Sequence, residues 1–305
     1  MKARSGNFSG LRRKRTKAEK RVPMLTDTKD ISLSKYKLPV GERTCIMGIL
    51  NVTPDSFSDG DSYLDPERAL KKVLRMVECG ADIIDIGGES TRPGAERISA
   101  EEELLRVMPI IKALEGKISI PLSIDTYKSR VAREALEEGV SIVNDITALR
   151  GDQDMARTVA EFDAGLILMH MKGDPSDMQD DPRYEDVMSE ICSCLSGAIS
   201  MAQEAGIDTE KIMVDPGIGF GKTLEHNLII LRDLSELRKL GKPVLAGTSR
   251  KSFIGSLTGR ETPDRIFGTA ASIAVAIMSG ADIIRVHDVD EMRDVARVVD
   301  AIKRA

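Results

Sequence analysis

From Thr44 onward, eight short apolar runs rich in β-branched residues recur along the chain, each followed by a segment with helical spacing. They are CIMGILNV (45–52), DIIDIGG (82–88), ISIPLSID (118–125), SIVNDI (141–146), GLILMHM (165–171), KIMVDPGI (211–218), PVLAGTS (243–249) and DIIRVHD (282–288). Near-continuous apolar runs suit parallel strands that are covered on both faces. The intervening stretches, such as ERALKKVLRMVECG (67–80) and EMRDVARVVDAI (291–302), repeat apolar residues at i, i+3, i+4. Asp65 before Pro66, Ser99 three residues before Glu102, and Thr262 before Pro263 mark helix starts. Eight strand–helix repeats predict an α/β protein, a (β/α)8 TIM barrel, as a single domain over 41–305. An open doubly wound sheet would want a Gly-rich turn after the first strand, whereas that turn reads NVTPDSFSDG.

A chain of 305 residues is long enough to bury the core of one such domain. No apolar run reaches 18 residues, so no membrane span is expected. Residues 1–21 hold nine Lys/Arg and one acid, and the rest of the chain has 13 more acidic than basic residues. An acidic body argues against broad nucleic-acid binding. Residues 1–40 lack periodicity and read as a flexible, basic, disordered arm. A solvated tail, a contact to RNA or an anionic surface, and an organelle transit peptide are its readings. Cys45, Cys79, Cys192 and Cys194 show no C-x-x-C spacing. With no secretory h-region at the start, a reduced, cytoplasmic protein is expected.

A barrel carries its site at the C-terminal strand ends. Those ends are polar throughout: Asn51; Asp85 leading to Glu89, Ser90, Thr91 and Arg92; Asp125; Asn144 and Asp145; Asp215; Ser249 to Ser252; Arg285 and His287. One polar end is often only a helix cap, but so many converging on one mouth are not explained that way. Arg285 and His287, two apart on a strand, face one side and with Arg250 and Lys251 gather cations suited to phosphate or diphosphate. Arg285 has the alternative of pairing with Asp288 or another carboxylate. Asp125, Asn144 and Asp215 suit the amidine edge of a planar heterocycle, though Asp215 also opens a turn-forming Asp-Pro-Gly. GIGFGKT (217–223) fails as a phosphate loop because Pro216 stands where Gly is needed, and its G-x-G-x-G fails the dinucleotide fingerprint. Its glycines suggest a mobile loop beside the site. Three histidines exclude a histidine-rich metal centre and leave room for Mg2+ on oxygen ligands and a substrate phosphate.

Taken in order, these motifs resemble the dihydropteroate synthase family. The matching stretches are NVTPDSFSDG (51–60), DIGGESTRPGA (85–95), IDT (124–126), VNDI (143–146), MHMKGDP (169–175), DPGIGFGK (215–222), GTSRKSFIG (247–255) and RVHD (285–288). The resemblance implies a transferase of folate biosynthesis, and a sulfonamide target, that joins 4-aminobenzoate to 7,8-dihydropterin-6-ylmethyl diphosphate. The products are 7,8-dihydropteroate and diphosphate, with diphosphate lost before the arylamine attacks. By the same resemblance, Asp125, Asn144, Asp215 and Lys251 would hold the pterin, with Asp85 also on the substrate-binding side. Asn51, Arg285 and His287 would hold the diphosphate, Asn51 as a Mg2+ ligand. Thr91, Arg92, Pro93, Phe220, Lys251 and Ser252 would shape the aminobenzoate site. Asp125, Asp215, Lys251, Arg285 and His287 form the implied catalytic set. Mobile loops are implied at 51–62, which includes Asp55, and at 88–97. A homodimer is implied as well, and GTAASIAVAIMSGA (268–281) is a helix that would pack either on a second copy or on the barrel. Asp61 departs from the family's second Gly in the first loop.

Three rival functions use the same barrel. A pterin-dependent methyltransferase acting on a corrinoid protein would not need Arg285, His287 and the SRKS run. A non-catalytic pterin-binding scaffold would be expected to lose some of these residues. A Schiff-base aldolase would want its Lys within a strand end, and Lys251 lies beyond one.

Overall fold

The computed structural model describes residues 30–53, 65–91, 94–174 and 177–305. An antiparallel hairpin of β1 (Ile31–Leu33) and β2 (Tyr36–Leu38) leads into the first barrel strand, β3 (Cys45–Asn51). There follow α1 (Pro66–Glu78), β4 (Ile83–Gly87), α2 (Ala100–Leu114), β5 (Leu122–Asp125), α3 (Ser129–Glu137), β6 (Ile142–Asp145), α4 (Met155–Glu161), β7 (Gly165–Met169) and α5 (Val187–Glu204). The chain continues through β8 (Ile212–Asp215), α6 (Leu224–Asp233), β9 (Leu245–Ala246), α7 (Ser252–Thr258), α8 (Ile266–Met278), β10 (Ile283–Val286) and α9 (Val289–Arg304). The sheet order is β8-β7-β6-β5-β4-β3-β10-β9, parallel throughout, and a parallel bridge between Val214 and Val244 brings its two edges together into a barrel.

The element starts follow local chemistry. Asp65 caps α1, accepting from the Glu67 N–H, with Pro66 at the first helical position. Ser99 caps α2 through the Glu102 N–H at 3.1 Å. Thr262 differs from expectation: it opens a single 3-10 turn (Thr262–Asp264), and α8 begins only at Ile266. The third strand is shorter than its apolar run. Pro121, lacking an N–H, contributes only its carbonyl, which accepts from Ile84.

Strand alternation sorts the apolar residues into two cores. Outward-facing Ile46, Leu50, Ile84, Ile86, Ile124, Val143, Leu166, Leu168, Val214, Ile284 and Val286 pack under the helices. Inward-facing Cys45, Met47, Ile83, Ile142, Ile167, Met213, Leu245 and Ile283 fill the lower barrel together with Ile31, Leu33, Leu38 and Val40. The hairpin is therefore a plug, and the boundary expected at residue 40 is corrected. Ile31 and Leu33 alternate inward about an exposed Ser32, a pattern too short to stand out beside the basic stretch before it. Residues 1–29 lie outside the described residues.

Candidate active site

Two residues above the apolar layer, inward positions become polar at Asp85, Asn144, Asp215 and Arg285, joined by Asp125 two residues above the buried Ser123. Arg285 is the hub. Its Nε donates to Asp85 Oδ2 and its Nη2 to Asp125 Oδ2, each at 2.6 Å, while Asn144 Nδ2 donates to Asp85 Oδ2 at 3.2 Å. Above them opens a cavity of about 640 Å³. Asn51, Thr91, Asp125, Asn144, Asp215, Phe220, Lys251, Ser252, Arg285 and His287 all line it. Arg92, Pro93, Asp55 and Asp61 lie outside the described residues, as do parts of the two expected mobile loops. Asp85 does not line the cavity. It is wholly buried under the floor, so its placement among substrate-contacting residues is corrected: it holds Arg285 and Asn144 in position.

The floor is electrostatically tense. Burial pushes the carboxyls of Asp125 and Asp215 upward, opposed at Asp125 by the Arg285 charge and at Asp215 by the Gly217 N–H, which donates at 2.7 Å. Burial pulls the Lys251 ammonium down to about 8, with Asp215 working against that shift. Lys251 Nζ lies 3.9 Å from the centroid of the Phe220 ring, a cation–π contact that joins the ring end of the cavity to its side wall. Arg285 stays protonated because two carboxylates outweigh its burial.

The cation cluster expected from the sequence is thinner than it looked. Burial, reinforced by the Arg285 charge, pulls His287 down to about 3, so its imidazole is neutral near pH 7. Its Nδ1 lies 3.0 Å from Ser249 Oγ, which leaves Nε2 for the cavity. Arg250 is engaged bidentately by Asp288, at 2.5 and 3.1 Å, so Asp288 belongs to Arg250 and not to Arg285.

The segment 217–223, expected to be mobile, is clamped. A Cβ on Gly217 would lie 1.9 Å from the His170 carbonyl oxygen, and one on Gly221 would lie 2.1 Å from that of Lys172. These glycines, both at positive φ, serve close backbone approach. Gln179 Nε2 donates to Gly219 O at 2.6 Å, Tyr184 Oη to Gly221 O at 2.8 Å, and Gly219 N to Asn227 Oδ1 at 2.7 Å. Beneath them Lys222, 3% exposed, reaches Phe220 O at 2.9 Å, His170 Nδ1 at 3.1 Å and His170 O at 3.3 Å. Burial pulls the Lys222 ammonium down to about 7; in its charged form its three donors meet these three acceptors and fix the carbonyl of the residue whose ring faces the site. His170, pulled down to about 3 by burial, is neutral and can accept at Nδ1.

On the opposite wall Glu89 pairs with Lys128, which also reaches Glu103 Oε2 at 2.5 Å, and Tyr127 Oη donates to Glu89 at 3.1 Å. This buried network fixes the chain just before Ser90 and Thr91. The cavity also touches Lys72, Ile146, Met169, Met178 and Arg265, which the sequence reading did not single out. Lys72 reads as one more lysine on the polar face of an amphipathic helix, and the methionines read as core, so neither carried a signal.

A closed parallel barrel with a polar, partly charged cavity at the C-terminal ends of its strands has the architecture of a barrel enzyme with its site in that mouth. The pterin-binding enzyme family matches residues 47–287. A dihydropteroate synthase of Clostridium beijerinckii is 48% identical over 275 residues, covering 90% of this chain and all of that protein. The structure of a Yersinia pestis dihydropteroate synthase in a sulfonamide drug complex superposes with a TM-score of 0.87 at 42% identity, covering 91% of this chain and all of that one. A Xanthomonas albilineans dihydropteroate synthase with 4-aminobenzoic acid gives a TM-score of 0.85 at 43% identity, covering 92% and 100%. The chain belongs to the dihydropteroate synthase family.

Proposed function

We propose that the chain joins 4-aminobenzoate to 7,8-dihydropterin-6-ylmethyl diphosphate, releasing diphosphate and forming 7,8-dihydropteroate. The observation that carries this reading is one cavity with two unlike halves. Asp125, Asn144, Asp215 and Lys251 offer paired acceptors and donors to a flat heterocycle, while Asn51, Ser249 and His287 line the other flank with neutral donors and acceptors. In the reaction the methylene C–O bond breaks and its electron pair leaves with diphosphate. The nitrogen of the arylamine then supplies the pair for the new C–N bond and loses one proton. Asp125 and Asp215 lie where a ring-delocalised cation would develop, and Arg285 and His287 face the departing oxygens. Phe220, held by the Lys222 knot, and Thr91 and Ser252 bound the place of the arylamine. Closure of loops over the mouth, which the family resemblance implies, would keep water from trapping the cation.

Mg2+ fits this donor set as a cofactor. Among the described residues no group of three or more His, Cys, Asp or Glu side chains is arranged for a metal, while Asn51, whose side chain carries a hard amide oxygen, lines the cavity. Asn51 would hold the ion together with substrate phosphate oxygens, and bound there it would neutralise charge on the diphosphate.

The reading includes a cytoplasmic homodimer. Among the described residues no helix is long and apolar enough to cross a membrane, and all four cysteines are unpaired. Phe267 is 86% exposed and shares an outer face with Val275 and Met278 on α8, beside Val298 and Ile302 on α9. A second copy of this chain suits so apolar a face. Phe267→Ser combined with Val298→Ser would yield monomers in sedimentation velocity; an unchanged dimer would place the interface elsewhere.

The activity test is diphosphate release from the pterin diphosphate with Mg2+, with and without 4-aminobenzoate. Release that needs both substrates, with dihydropteroate appearing, is expected. Pterin binding without release would return the reading to the methyltransferase or the scaffold.

A further inference from the structure

Resting on that reading, we infer that Lys72, on the outer helix α1, is a further binding residue for the diphosphate half of the substrate. The leaving group carries several negative charges. The strand-end cations that face it are already engaged: Arg285 by Asp85 and Asp125, and Arg250 by both oxygens of Asp288. Arg265 points into carbonyls, donating to Arg260 O and Arg250 O at 3.0 Å. His287 is neutral. Lys251 belongs to the opposite half, against Phe220 and Asp215.

Lys72 lines the same cavity as Asn51, Ser249, Arg250 and His287. It has no ion-pair partner among the described residues. Helix α1 begins at the barrel mouth and descends, and its side chains tilt back toward its N-terminus. Lys72 stands six residues in, about 9 Å down the axis, within reach of the rim for a four-carbon side chain. Lys72 is an exposed residue, yet its ammonium is drawn down by partial desolvation at the cavity edge and further by the Arg250 charge, which Asp288 offsets only in part. It also weighs against protonation of His287. An ammonium set against another cation whose carboxylate is already taken is a position that an arriving polyanion relieves.

The test uses the full chain with Lys72→Met, Lys72→Glu and Lys72→Arg. Inorganic diphosphate binding is read by calorimetry at low and high salt, and the KM of each substrate is measured separately. Lys72→Met should weaken diphosphate binding and raise the pterin diphosphate KM about tenfold at low salt, with the difference shrinking at high salt. Lys72→Glu should do more, and Lys72→Arg should restore binding to within about twofold. The KM for 4-aminobenzoate and the thermal midpoint should stay put. Unchanged diphosphate affinity in Lys72→Met, or an equal loss for both substrates, would overturn the assignment. Wild-type protein that binds diphosphate through Lys72 but never turns over would instead sink the synthase reading and leave this one standing.

Discussion

The two ends of the barrel interior are built from the same strands and obey opposite rules. At the bottom the inward positions Cys45, Met47, Ile83, Ile142, Ile167, Met213, Leu245 and Ile283 are apolar, sealed by Ile31, Leu33, Leu38 and Val40. Two residues further along, Ile83 gives way to Asp85, Ile142 to Asn144, Met213 to Asp215 and Ile283 to Arg285. The upper layer also holds two orphans among the described residues, Asp85 Oδ1 and Ser123 Oγ, from cross-strand neighbours. An unmade buried hydrogen bond costs about 1–3 kcal/mol, whereas each buried large aliphatic side chain contributes about 1.5–3 kcal/mol. Four plug residues therefore outweigh two orphans. The closed bottom lets the mouth keep groups chosen for chemistry.

The sharpest break of this contrast is at the floor. Asp215→Asn and Lys251→Ala should each cut turnover by about a thousandfold or more, some 4 kcal/mol on the barrier, with little change in thermal midpoint. Steady-state assays beside calorimetry check this, and near-normal turnover would remove the residue from the site. Leu33→Ala should do the reverse, lowering stability by about 3 kcal/mol in urea titration while activity per folded molecule holds. A drop in specific activity without loss of stability would mean that the two ends are coupled.

Lys222→Met probes the wall between them. Losing its three hydrogen bonds should loosen Phe220 and raise the KM for 4-aminobenzoate about tenfold, with the pterin KM steady. Equal shifts in both would make Lys222 a stabiliser only. The smallest expected effect is in pH. Lys251 is pulled down to about 8, so it is charged below that pH and loses its charge as pH rises through it. Substrate affinity should fall on that alkaline limb, and Lys251→Arg should flatten it because guanidinium stays charged. A limb that persists in the Arg variant would belong to another group.

Much of the barrel was legible because each strand repeats one local rule, an apolar run ending in a polar residue. The inward set Asp125, Asn144, Asp215 and Arg285 followed from that rule with a period of two. The hairpin was not legible: three-residue strands carry almost no periodicity, and Ile31 and Leu33 gain meaning only from the barrel end that they seal. The segment 217–223 reads as mobile in the sequence because glycine permits both motion and close approach, and only the opposing His170 and Lys172 carbonyls decide between them.

By itself, then, the sequence determined the repeat, the sidedness of each strand and the family resemblance, because these depend on neighbours along the chain. The tertiary structure decided charge and partnership. It joined Arg250 to Asp288 and Arg285 to Asp85 across 200 residues, left His287 neutral and brought Lys72 to the cavity from an outer helix. Desolvation and ion pairing act between residues distant along the chain, so only the folded barrel could settle which cations remain to meet a substrate.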